Sequence, residues 1–218
     1  MSRNRCLWAG LAILAASSHA GVASAHPHTW IYYEVELVFD GEARIVGFRQ
    51  SWSFDEFYTV YATAGVTGRE GGKPDQQLID AITAENMKNL REYDYFTEVR
   101  WGGERIGLEA ASEIEAGMDG DRLWMSFFAP LETPLDPRTQ PFTYSIFDPT
   151  YYIEMQHAPS KQAIRLSNAP PACAAELIAP DPNPEMSALA AALDRTQKGT
   201  DGLGALFAEK VVVKCGAS

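Results

Sequence analysis

The sequence predicts an α+β fold, mainly antiparallel β and sandwich-like, with two or three helices. Three observations carry this reading. Short stretches alternate aromatic or β-branched residues with polar ones, glycine-bearing turns separate several of them, and two longer segments space their apolar residues as a helix does.

Taken in order, Trp30 to Asp40 and Ala43 to Phe54 alternate on either side of Asp40-Gly41, which signals a hairpin. Asp55 to Ala64 and Gln76 to Arg91 have helical spacing, the second with Leu78, Ile79, Ile82, Met87 and Leu90 on one side. The glycine-rich stretch Gly65 to Lys73 separates them. Strand-like runs follow at Tyr95 to Trp101, Glu104 to Ala116, Arg122 to Ala129, Phe142 to Phe147, Tyr151 to Gln156 and Ala163 to Leu166. Trp101-Gly102-Gly103-Glu104 reads as a second hairpin turn. Asp181-Pro182-Asn183-Pro184 stops the preceding strand, Glu185 to Arg195 is an alanine-rich helix, and Lys210 to Cys215 is a terminal strand. Strand order is open at this point. No internal repeat, low-complexity tract or second-domain boundary is visible in the sequence.

The first residues fall into three zones. Arg3 and Arg5 precede an apolar run from Leu7 to Ala16, and small residues end at Ala23-Ser24-Ala25. That is the pattern of a secretory signal peptide. Its apolar run is shorter than the roughly 20 residues a membrane span needs. Cleavage after Ala25 is expected, with residues 26–218 forming a single periplasmic domain that is not membrane-embedded. Cys6 follows Arg5 directly and leaves with the leader, so lipid anchoring is not expected. The leader holds two of the eighteen basic residues and none of the twenty-nine acidic ones, which makes the mature formal charge −13. Nucleic acid is excluded as an expected partner, because a phosphate backbone repels such a chain.

Cys173 and Cys215 survive processing, and an even pair in an oxidising compartment reads as a disulfide. The loop it closes is worth about 4 kcal/mol in the chain-entropy account.

Processing after Ala25 exposes His26-Pro27-His28-Thr29-Trp30. A terminal histidine offers two donors, its α-amine and its imidazole Nδ1, which chelate an ion before the chain folds. Neither group holds its proton tightly at neutral pH. His28 lies two residues on and shares a face with His26 in an extended strand. Pro27 has no amide proton to lose, which blocks the square-planar copper or nickel site that uses intervening amide nitrogens. Three or four nitrogen donors suit zinc, copper, nickel or cobalt. His157, the remaining mature histidine, is a further metal-ligand candidate, though for it alone a surface position is the favoured reading. A solvated, frayed end is the alternative for His26 and His28. Metal binding is weighted above it, because two of three mature histidines crowd the cut.

Other motifs have ordinary readings. Asp148-Pro149-Thr150-Tyr151-Tyr152 reads as a turn bonded to its own backbone, and Asp55-Glu56 as a helix cap. Trp30, Tyr32, Trp52, Phe54, Phe57 and Tyr58 are expected in the core. No Gly-x-Ser-x-Gly elbow, free mature thiol, phosphate-cradling loop or dinucleotide fingerprint is present. An enzyme is therefore not the first reading.

The segments AHPHTW, SFDEFYTVY, ENMKNLREYDYFTEV, PLDPRTQPFTYSIFDPTYYIEM and IRLSNAPPAC together resemble an uncharacterised bacterial family described as the periplasmic component of an ABC-type transport system. The likeness runs from about Ala25 to Cys215. It implies periplasmic metal handling, since members are often encoded beside nickel/cobalt-type metal transporters. Many members carry an Asp-rich, EF-hand-like segment between the two helices. Here Gly65 to Lys73 lacks those carboxylates, so calcium is not expected there. The resemblance does not extend to a ligand role for His157, which rests on residue chemistry alone.

The function expected is that of a periplasmic accessory protein which binds a divalent transition metal through the mature His-Pro-His and exchanges it with an inner-membrane metal transporter. One alternative is a copper-dependent oxidative enzyme with a terminal-histidine brace, against which no flat aromatic substrate face can be read from the sequence. Another is a metal-free interaction module of a transporter.

Overall fold

The computed structural model describes residues 29–64, 74–193 and 199–216. The leader, His26, His28 and the glycine-rich stretch 65–73 lie outside the described residues.

The fold is α+β, two β-sheets facing one another with helices at their margins. The first sheet has six strands: β1 (Thr29–Phe39), β2 (Ile45–Phe54), β5 (Ser112–Asp119), β6 (Arg122–Leu135), β8 (Ile153–His157) and β9 (Ile164–Ser167). They run in the order β5-β6-β2-β1-β8, and β9 pairs with the later half of β1. The second sheet runs β10-β11-β7-β3-β4, from β3 (Thr97–Trp101), β4 (Glu104–Ile106), β7 (Phe142–Ile146), β10 (Cys173–Ile178) and β11 (Lys210–Cys215). Pairing is antiparallel throughout except on β1, which lies parallel to both β8 and β9.

Along β1 every second side chain, from Ile31 through Tyr33, Val35 and Leu37 to Phe39, is buried, which sets its register against both neighbours. The core fills the space between the sheets. Phe48 on β2 meets Phe142 and Tyr144 on β7, edge to face with Tyr144 at 5.3 Å between ring centroids, while Trp52 on β2 packs on Phe127 of β6. One amide is accommodated among them. Gln50 donates to Thr97 Oγ1 at 2.9 Å and accepts from the Trp52 indole at 2.9 Å, so this buried side chain is hydrogen-bonded as burial demands.

The β1–β2 hairpin forms as expected, but its turn is longer than Asp40-Gly41. The Asp40 carboxylate accepts from the amides of Glu42 and Arg44, and the left-handed residue is Ala43, at φ 63°. Helix α1 (Glu56–Ala64) buries only Thr59 and Thr63, whereas α2 (Gln76–Arg91) buries Ile79, Thr83 and Met87 beneath an Asp75 cap bonded to Leu78 N. With α3 (Pro184–Ala192) and α4 (Leu203–Phe207) there are four helices among the described residues rather than two or three.

Two strand expectations need correction. Glu104 to Ala116 is not one strand: β4 ends at Ile106, and the chain crosses at Gly107 to Ala111 into the other sheet before β5 begins. The Glu109 amide bonds to Pro130 O at 2.8 Å during that crossing. The strand expected from Tyr95 starts at Thr97, because Asp94, Tyr95 and Phe96 form a left-handed turn with φ near 50–58°. Such a run is costly for residues other than glycine. It is held by the Ala111 amide on Tyr95 Oη at 2.8 Å and by Arg105 on Asp94 at 3.1 Å. The strand that the sequence places before Asp181 is β10, tied to β11 by register and by covalent bond.

Candidate functional site

The described chain begins at Thr29, the residue after His28 and the first of β1. Thr29 pairs with Ile153 and Trp30 with Glu154 in the parallel ladder. A second anchor comes from Asp55, between β2 and α1. Its Oδ2 accepts from the Trp30 amide at 2.7 Å, and its own amide donates to Trp30 O at 3.0 Å. Its Oδ1 accepts from Tyr58 N at 2.8 Å, which caps α1. Asp55 is therefore the expected cap and also a clamp on the head of β1.

Alternation divides this end of the sheet into two faces. Ile31 and Tyr33, with Met155 and His157 beside them, point into the core; Trp30 and Tyr32, with Glu154 and Gln156, point away from it. Of the aromatic residues expected in the core, Trp52 and Phe54 are buried and Tyr58 packs against Phe54 at 4.7 Å. Trp30, Tyr32 and Phe57 are exposed instead, Phe57 to 82%. The first two fall on the outward parity of β1, and Phe57 lies on the side of α1 that no described element covers.

His157 is 7% exposed, which overturns its reading as a surface histidine. It ends β8 on the core face opposite Tyr33, whose ring centroid lies 4.5 Å away. Its Nδ1 bonds Glu209 Oε2 at 2.8 Å, its backbone amide donates to the same oxygen at 2.7 Å, and Nε2 bonds Tyr144 Oη at 3.1 Å. Both ring nitrogens are thus engaged, and an ion at His157 would have to displace Glu209 or Tyr144. Partial burial pushes the Glu209 carboxyl up, but the two hydrogen bonds from His157 and the nearness of its ring outweigh this and leave it below its ordinary value. Burial raises the phenols of Tyr33 and Tyr144, keeping both protonated. Tyr33 Oη is buried and has no hydrogen-bond partner among the described residues.

Glu154, on the outward face, is 8% exposed. It accepts from Gln156 Nε2 at 2.9 Å and from the Tyr151 phenol. The preceding turn is the self-bonded one expected: Asp148 accepts from the amides of Thr150, Tyr152 and Ile153 at 2.9–3.0 Å and so places the start of β8. Cys173 and Cys215 face each other across β10 and β11 and are joined as a disulfide. Among the described residues no group of three His, Cys, Asp or Glu side chains is close enough to hold an ion. His26 and His28 lie outside the described residues. No described helix is long and apolar enough to cross a membrane.

Glu154 and Glu209 were not among the site residues read from the sequence. The signal for Glu154 was an acid between the apolar Ile153 and Met155; Glu209 carried none beyond preceding a strand.

The architecture is that of an α+β two-sheet domain with an anchored N-terminal strand. The chain belongs to the family DUF1007, described as a protein of unknown function, whose profile matches residues 11–215. It is similar to an uncharacterised protein of Haemophilus influenzae, 27% identical over 195 residues that span 88% of this chain and 91% of that protein. It is also similar to an uncharacterised 15.5 kDa protein in the trpE 3′ region of Spirochaeta aurantia, 29% identical over 84 residues, 38% of this chain and 59% of that protein.

Proposed function

We propose that this chain is exported, processed to begin at His26, and binds one divalent transition metal through the terminal amine and the imidazoles of His26 and His28. It then works as a periplasmic accessory protein that exchanges the ion with an inner-membrane metal transporter of the ABC or nickel/cobalt type. The observation that supports this most is the anchoring of Thr29 and Trp30. A chelating end is useful for capture and transfer when the residues behind it are rigid, and here the ladder to β8 and the Asp55 clamp hold them. The Cys173–Cys215 disulfide accords with an oxidising compartment. In this reading His157 stays in the core with Glu209 and Tyr144.

The test is expression with the native leader, mass spectrometry of the N-terminus, and titration with zinc, copper, nickel and cobalt beside a form carrying one additional N-terminal alanine. Tight binding of one equivalent by the protein starting at His26, much weakened by the extension, supports the proposal. Equal binding by both forms, or none, overturns it.

One observation favours a second reading. The exposed Trp30 and Tyr32 on the outward face supply the aromatic surface beside the terminus that a copper-dependent oxidative enzyme needs. Oxidant-dependent turnover of a polysaccharide by the copper-loaded protein would select it.

A further inference from the structure

At the end of the sandwich where the head of β1 faces α2, the core does not close. A cavity of about 140 Å³ lies there, floored by the buried side chains of Trp52, Phe54 and Met125 and opening past Leu90 and Ile153, which are half-buried. Its mouth is polar. Asn86 and Asn89 line it from α2, and Asn86 Nδ2 donates to Tyr58 Oη on α1 at 3.0 Å. Ile82, Asn86 and Leu90 form one row of α2 at a spacing of four, so an amide stands where an apolar side chain would seal the core. An apolar hollow with a few hydrogen-bonding groups at its entrance is how small-molecule sites are built.

One wall is held at a cost. Phe96, the last residue of the left-handed turn, has φ 58° and lays its ring parallel to Trp52, with 6.3 Å between centroids. Strain of this kind is kept where it places a side chain for use. The volume is close to the roughly 150 Å³ of a cavity lined by Leu, Ile and Phe that takes up benzene. The lining consists of aliphatic, aromatic, amide and hydroxyl groups. It favours a neutral occupant, since a charge seated there would lose its water without compensation. Aromatic walls and Met125 favour a ring over a chain, through edge and offset stacking and sulfur contacts. We propose that this cavity is a binding site for a neutral molecule with a single aromatic ring, of phenol size, seated against Trp52, Phe96 and Met125. The site is on the inward face of the first sheet and stands apart from the metal-binding reading above.

The test uses the processed protein as wild type, Leu90→Phe and Ile153→Phe, two substitutions that extend a ring into the cavity from its rim. Phenol and benzene are titrated by amide chemical shift and by melting. Benzoate, which has the ring and a charge, and 1-hexanol, which is apolar without a ring, are titrated beside them. Wild type is expected to bind phenol and benzene saturably with Kd about 1 mM or below, within what so small a ligand can supply. The shifts should gather at the Trp52–Phe54 end of β2, the start of β8 and the last turns of α2. Benzoate and 1-hexanol should bind about tenfold more weakly or worse. Leu90→Phe should melt no lower than wild type, as filled cavities do, and its phenol affinity should fall about tenfold or more. Ile153→Phe repeats the measurement from β8, and the selectivity of wild type decides independently of either variant. No saturable binding by wild type, shifts scattered away from the cavity, equal phenol affinity in a folded filled variant, or equal affinity for 1-hexanol or benzoate overturns the proposal.

Discussion

Glu209 reaches across 52 residues of chain to hold His157 twice, through the backbone amide at 2.7 Å and through Nδ1 at 2.8 Å, with a single carboxylate oxygen. The contact joins the end of β8, in one sheet, to the residue before β11, in the other. Because the folded-state carboxyl sits below its ordinary value near 4.5, Glu209 contributes stability at pH values above that figure and loses it as pH falls through the folded value. Glu209→Gln should therefore melt lower than wild type at pH 7, and the gap should close in acid below about pH 4.5. Thermal melts across pH 3–8 measure this; parallel curves for the two proteins would refute it.

Asp55→Ala removes a helix cap and the clamp on Trp30 together. Loss of a cap alone costs about 1 kcal/mol, and the Trp30 amide loses its partner as well. Denaturant unfolding should show at least that loss. On the proposed function the same variant should release metal faster, since the residues behind His28 are less well held, and stopped-flow chelator competition would register the change.

Opening the Cys173–Cys215 bond should destabilise the protein by about 2–4 kcal/mol. The paired substitution to alanine, or reduction under mild denaturant, should lower the unfolding midpoint. Because β11 lies between β10 and β7, the freed end also releases the edge of the second sheet, and amide exchange should rise first in β10.

Gly204 opens α4 against the backbone of Asp148, so closely that a β-carbon would overlap the Asp148 carbonyl oxygen. Gly204→Ala should cost about 1–3 kcal/mol, the usual penalty of overpacking. The Asp148 turn places the start of β8, so zinc affinity should fall along with stability; a variant as stable as wild type would show that α4 is free to move.

The class of fold was legible because the informative patterns are local. Alternation around Asp40 marked the first hairpin, the spacing of Ile79, Ile82 and Met87 marked α2, and Asp55 announced a helix start. What escaped was set by distance or by context. Glu104 to Ala116 alternates well enough to pass as one strand, and the meeting of Leu108 with Leu131, far off in sequence, is what shows that the chain changes sheets there. The strand before Asp181 was announced only by its stop, and its bounds, Cys173–Ile178, are set by the pairing with β11. Phe57 looks like core by composition, yet α1 turns it outward because Thr59 and Thr63 are the residues that fit beneath. For the site, the two terminal histidines could be named from residue order. His157 could not be placed, since its partners Tyr33, Tyr144 and Glu209 come from three separate parts of the chain. Glu154 likewise could not be placed, since only the parallel pairing sets it beside Trp30.

That parallel pairing has a consequence for assembly. The head of β1 is among the first parts of the domain to be made, but Ile153 and Glu154 arrive only after most of the chain has been synthesised, and Ile164, which holds the later half of β1, arrives later still. Contacts so far apart in sequence form slowly, because the loop between them must close before they are rewarded. The anchor at the head of β1 is therefore complete only in chains whose first sheet is already assembled, and a firmly held N-terminal strand is withheld from unfinished molecules and granted to finished ones.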